Sequence, residues 1–155
     1  MEKQAVERSL DASIKDGTAF AVMAGLGDAS YVAACALFLG ASESAVALLV
    51  TIPVFLGACA QLLAPILIER TGRRKLLFVV GSSLQAAAWV PMLLAPLVGR
   101  PYGFWLLLGG FVLSFASVHV GVPAWTSVMG DLVPPASRGR FFGRRSALAL
   151  TMQLA

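Results

Sequence analysis

Three long stretches of this chain carry no Asp, Glu, Lys or Arg: residues 44–68, 76–99 and 101–130. Each exceeds the roughly 20 apolar residues that a helix needs to cross bilayer hydrocarbon. A fourth, 18–40, is interrupted only by Asp28. A soluble fold has to solvate its surface, and the charged share of 13% falls well short of the roughly 25% usual for soluble domains. The pattern predicts an all-α, polytopic transmembrane helix bundle, because helices satisfy their own backbone in lipid. Its spans are expected near 18–40, 45–68, 76–98 and 103–130.

Residues 1–17 form a mixed-charge leader in which Val6, Leu10 and Ile14 recur every four positions. That spacing suits a short amphipathic helix on the membrane surface. A signal peptide would have a shorter apolar run and no such leader. At the other end, the apolar stretch from about residue 144 to Ala155 reads as the first half of a fifth span. The chain is therefore expected to be the N-terminal fragment of a longer membrane protein. Cys35 and Cys59 lie inside spans without metal-ligand spacing, so neither a metal nor another cofactor is expected.

Charge position orients the bundle. Lys3, Arg8 and Lys15 lie in the leader, Arg70, Arg73, Arg74 and Lys75 between spans two and three, and Arg138, Arg140, Arg144 and Arg145 after span four. If the chain alternates, eleven of its twelve cations share one side and only Arg100 lies on the other. The positive-inside rule puts that side, with the N-terminus, in the cytoplasm, and the protein in the cytoplasmic (inner) membrane. Topology thus accounts for the basic run IERTGRRKLLF at 68–78 without a nucleic-acid partner. The outer connections, and the one carrying this run, are short, which makes consecutive spans antiparallel neighbours.

The loop Glu69-Arg70-Thr71-Gly72-Arg73-Arg74, placed between spans two and three, resembles the signature loop of the major facilitator superfamily of transporters. The resemblance extends to Gly130-Asp131-Leu132-Val133-Pro134-Pro135-Ala136-Ser137-Arg138-Gly139-Arg140-Phe141-Phe142-Gly143, which is similar to the loop after the fourth helix in that family. Two positions depart from the family pattern: Glu69 where Asp is usual, and Pro65 where Gly is usual. The resemblance implies a transporter of two six-helix halves, one substrate site near the midplane, and alternating access by rocking. The remaining C-terminal helices of the same full-length protein would then be partners of this chain. It also implies that a loop arginine, Arg70 or Arg73, pairs with Asp131 in one transport state and releases it in another. Gly72 suits the tight turn, and Arg70, Arg73 and Arg74 offer permanently charged forks for carboxylates and helix-end carbonyls. Anchoring to anionic headgroups, at about 1 kcal/mol per cation, is the alternative role of these arginines.

Two ionisable side chains sit deep in the spans, Asp28 and His119. At about 1.5 Å per residue each lies near 15 Å from the cytoplasmic end of its helix, about mid-bilayer. Such groups are costly in lipid and face a cavity or a partner, where they suit solute binding or exchange of a coupling proton. The resemblance places helices one and four along the central cavity. Pro123 withholds an N–H from the His119 carbonyl and Pro65 from that of Gln61, which exposes acceptors there. Ala21, Gly25, Ala29 and Ala33 repeat every four positions, a stripe for close helix approach. Gln61, Gln85 and Trp125 are further cavity candidates, whereas Tyr102, Phe104 and Trp105 suit the outer aromatic belt. Asp28 as a helix cap, and His119 as a packing residue, are the simpler alternatives.

These features point to a secondary active transporter of a small solute, with the bilayer as its other partner. The sequence has no ATP motif and no nucleophile–base or paired-carboxylate spacing that would make it an enzyme. A small four-helix dimeric proton-coupled transporter and a non-transporting membrane interaction module are the competing readings.

Overall fold

Glycines and charges end the helices where the apolar intervals end. The computed structural model describes residues 2–26 and 28–154; the first residue of the expected leader, Gly27 in the first span, and the last residue of the expected fifth span lie outside them. The described residues form six α-helices and one 3-10 turn, with no strand among them: α1 (Glu2–Leu26), α2 (Ala29–Phe38), α3 (Glu43–Thr71), α4 (Arg74–Val98), α5 (Tyr102–Leu132), the turn Pro135–Ser137, and α6 (Arg138–Leu154). Four stretches are long and apolar enough to cross a membrane: Val6–Phe38, Glu43–Thr71, Arg74–Val98 and Tyr102–Leu132. Leu62, Leu97 and Phe38 are at least 75% exposed, a surface that suits lipid rather than water.

The expected leader and first span differ in form from a surface helix followed by an unbroken span. α1 runs straight through the leader into the apolar stretch, and the chain restarts as α2 after Asp28. Adjacent Gly27 and Asp28 are both poor helix-interior residues, which favours an interruption there. Because of this break, the Ala21-Gly25-Ala29-Ala33 spacing is divided between two helices rather than forming one stripe.

The chain divides into two compact units, Met1–Asp28 with Met129–Ala155, and Ala29–Val128. In the first unit α1 and α6 run parallel. Positions matched across the pair rise together: a Cβ built on Gly17 would meet the Arg145 guanidinium, and one on Gly25 would lie 3.2 Å from the Gln153 carbonyl oxygen. Arg145 also donates through Nε to the Ser13 carbonyl at 3.2 Å. After α5, Arg138 folds back and donates to the carbonyls of Val133 at 3.0 Å and Gly130 at 2.6 Å. A helix C-terminus leaves such carbonyls without partners, and a guanidinium can satisfy two at once.

In the second unit Val32, Ala36, Leu39, Leu49, Met92, Ala95, Leu107 and Phe111 form the core, drawn from α2 and the turn after it, α3, α4 and α5. Ser42 caps α3, its Oγ accepting from the Ala45 N–H at 3.3 Å. Arg100, in the turn between α4 and α5, donates through Nε to the Leu39 carbonyl, and Gly40, at φ 68°, leaves room for its guanidinium. The two helices joined by that turn approach at three levels. Gly103 lies against the Ala95 carbonyl, Gly110 against that of Ala88, and Gly81 against that of Ser117. Gly81, Ala88 and Ala95 are spaced by sevens on α4, as are Gly103, Gly110 and Ser117 on α5. Lipid provides no hydrophobic drive between helices, so close backbone packing of this kind is what holds such a pair.

Candidate functional site

His119 projects from α5 in the second unit, and three features fix its ring. Nδ1 lies 2.8 Å from the Phe115 carbonyl one turn earlier. A carbonyl only accepts, so Nδ1 carries the hydrogen and donates, which leaves Nε2 as the ring nitrogen not engaged by that carbonyl. The Phe115 ring stacks on the imidazole at 5.7 Å between centroids and 19° between planes. From α3, Gly57 brings bare backbone against the ring: a Cβ there would lie 3.0 Å from Nδ1 and 3.3 Å from Cε1. The imidazole is half-buried in this setting.

The other candidates fall in different surroundings. Gln85 is 8% exposed on the α4 face that carries Gly81 and Ala88, so it belongs to the α4–α5 contact. Trp125 is half-buried one turn and a half after His119, and Gln61 is exposed one turn after Gly57. Asp28 is exposed and immediately precedes α2, the position from which a carboxylate can cap helix-end N–H groups. Its own N–H reaches the Gly25 carbonyl at 3.4 Å.

The basic loop is built around Gly72. That residue caps α3 at φ 60°, a left-handed angle that glycine adopts without strain, and its N–H donates to the Ile68 carbonyl at 2.9 Å. Glu69, Arg70 and Arg73 are exposed around it. Arg74, the first residue of α4, donates through Nη1 to Ser127 Oγ on α5 at 2.8 Å. Asp131 is exposed one helical turn beyond Ser127.

Sequence reasoning missed Gly57, Phe115 and Ser127. A count of depth would have found the first, because Gly57 precedes Glu69 by as many residues as His119 precedes Asp131. It also missed Trp89, whose indole N–H is buried on α4 with no hydrogen-bond partner among the described residues.

Apolar helices of spanning length, joined by short charged turns, define an integral membrane protein of the polytopic helix-bundle class. The family model described as Major Facilitator Superfamily matches residues 17–152, and the chain belongs to that family of membrane transporters. Comparison with curated proteins and with solved structures gave no match.

Proposed function

We propose that the chain serves a secondary active transporter that moves a small solute by alternating access, with Asp28 and His119 each on the solute path. The observation that carries this reading is the way His119 is held. Its Nδ1 is occupied by the Phe115 carbonyl and its face by Gly57, so Nε2 is the edge left for a solute or a proton. The break at Asp28 adds to it: interrupted helices with helix ends near mid-bilayer are a recurring construction for solute sites in transporters. Gln61 and Trp125 extend the path, and Gln85 lies behind it.

The reading places the N-terminus in the cytoplasm, supported by eleven of twelve cations falling on one side of the alternating spans. The loop Glu69–Arg74 and Asp131 then belong to the cytoplasmic gate, and further helices of the same polypeptide complete the cavity. The test is counterflow in proteoliposomes, using a labelled solute chosen because it stabilises the full chain against heat. Asp28→Asn and His119→Ala are each expected to reduce flux by roughly tenfold or more, the effect of losing about 1.4 kcal/mol. Wild-type flux in both variants removes the assignment.

A further inference from the structure

The parallel packing of α1 and α6 sets their N-terminal turns side by side, and between them lies a cavity of about 430 Å³. Its walls are made of pairs four residues apart, which a helix stacks on one face. α1 contributes the carboxylates of Glu7 and Asp11; α6 contributes the guanidiniums of Arg140 and Arg144. All four side chains are exposed. Between and beneath them, Leu10, Ile14 and Phe141 are half-buried and form an apolar floor. Beyond the charged residues of the groove, α1 runs on into a stretch apolar enough to cross a membrane, which sets the groove beside the headgroups of the adjoining leaflet.

We propose that this groove binds the headgroup of a zwitterionic phospholipid bearing a primary amine. The ammonium rests on Glu7 and Asp11, the phosphate on Arg140 and Arg144, and the first acyl methylenes on Leu10, Ile14 and Phe141. Charge complementarity selects this occupant. An anionic headgroup would satisfy the arginines but face two carboxylates, and a simple cation would satisfy the acids but face two guanidiniums. A headgroup carrying both charges meets both walls. The planar guanidinium forks match phosphate oxygens, and the positive end of α6 lies on the same side as the phosphate. A primary ammonium donates hydrogen bonds to carboxylates, which a quaternary choline cannot do. The volume is more than ten times the roughly 30 Å³ that a water molecule takes up, so there is room for a headgroup rather than for a bound ion alone.

The experiment places the full chain in nanodiscs containing equal parts of ethanolamine, choline and glycerol phospholipids, then quantifies the lipid retained after mild detergent extraction. Among the retained lipids the ethanolamine species is expected to outnumber each of the other two by about tenfold, a preference of about 1.4 kcal/mol. Arg140→Gln with Arg144→Gln abolishes the enrichment; Glu7→Gln with Asp11→Asn moves it to the anionic glycerol lipid. Arg144→Gln alone serves if the double arginine variant does not purify, and is expected to lower the enrichment. Glycerophosphoethanolamine, which lacks acyl chains, is expected not to displace the lipid at equal concentration. Retention at bulk composition, enrichment indifferent to both pairs of substitutions, or displacement by the soluble headgroup would each overturn the proposal.

Discussion

Gly109 and Gly110 are neighbours on α5, yet the same substitution is expected to act oppositely at the two. A Cβ on Gly109 would meet nothing within 4 Å, whereas one on Gly110 would lie 2.5 Å from Met92 Cγ, 2.8 Å from the Ala88 carbonyl oxygen and 3.3 Å from Pro91 Cγ. Gly→Ala makes the same change in chain flexibility and helix propensity at both sites, so the difference between the variants isolates packing. Ordinary contact begins at 3.4 Å. The Ala88 oxygen belongs to backbone and cannot turn aside, so α4 and α5 must part by about 0.6 Å, enough to forfeit a quarter or more of each well along the contact. Overpacking of this kind costs about 1–3 kcal/mol. Gly109→Ala, which gains helix propensity, should be neutral or stabilising by up to about 1 kcal/mol. Unfolding in mixed micelles titrated with SDS and followed by tryptophan fluorescence should therefore rank Gly109→Ala above Gly110→Ala by about 1–3 kcal/mol. A gap below about 0.5 kcal/mol, within the usual error of additivity, would refute the close α4–α5 contact.

The chain has one histidine, so ¹⁵N-histidine labelling yields a single imidazole signal pair. The neutral ring is expected to show hydrogen on Nδ1, and Gly57→Ala to shift that resonance and reduce solute flux roughly tenfold; an unchanged spectrum would remove Gly57 from the site. For the Arg74–Ser127 bond, a double-mutant cycle with Arg74→Ala and Ser127→Ala in the same micelle titration should give about 1 kcal/mol of coupling. Strict additivity would show that the bond contributes nothing.

The sequence exposes α3, α4 and α5 clearly because lipid imposes one blunt rule, length without charge, and the intervals 45–68, 76–98 and 103–130 satisfy it. Gly72 was legible for a related reason, as a glycine among four cations where two spans must turn. The merging of the leader with the first span was not. Val6, Leu10 and Ile14 announce a helix, but nothing in their spacing tells whether it stops at the membrane surface. Partner choice was the larger gap. The sevenfold spacing of Gly81, Ala88 and Ala95 is visible in one helix, yet its register against Gly103, Gly110 and Ser117 exists only once the turn at Arg100 has folded the two together. His119 shows the same limit. Depth identified the residue as unusual, but Phe115 and Gly57, which decide the nitrogen it presents, emerge from packing.

The three-level contact between α4 and α5 has a mechanical consequence. Successive levels stand about 10.5 Å apart, seven residues at 1.5 Å each, so the contact runs for some 20 Å along the helices. At each level a glycine on one helix meets main chain on the other, and main chain has no rotamer whose change would let the helices slip. Sliding or rolling one helix past the other would have to undo all three levels together. The pair is therefore a stiff spar. Under the proposed rocking mechanism the bending would fall outside this pair, in which Gly110 is buried.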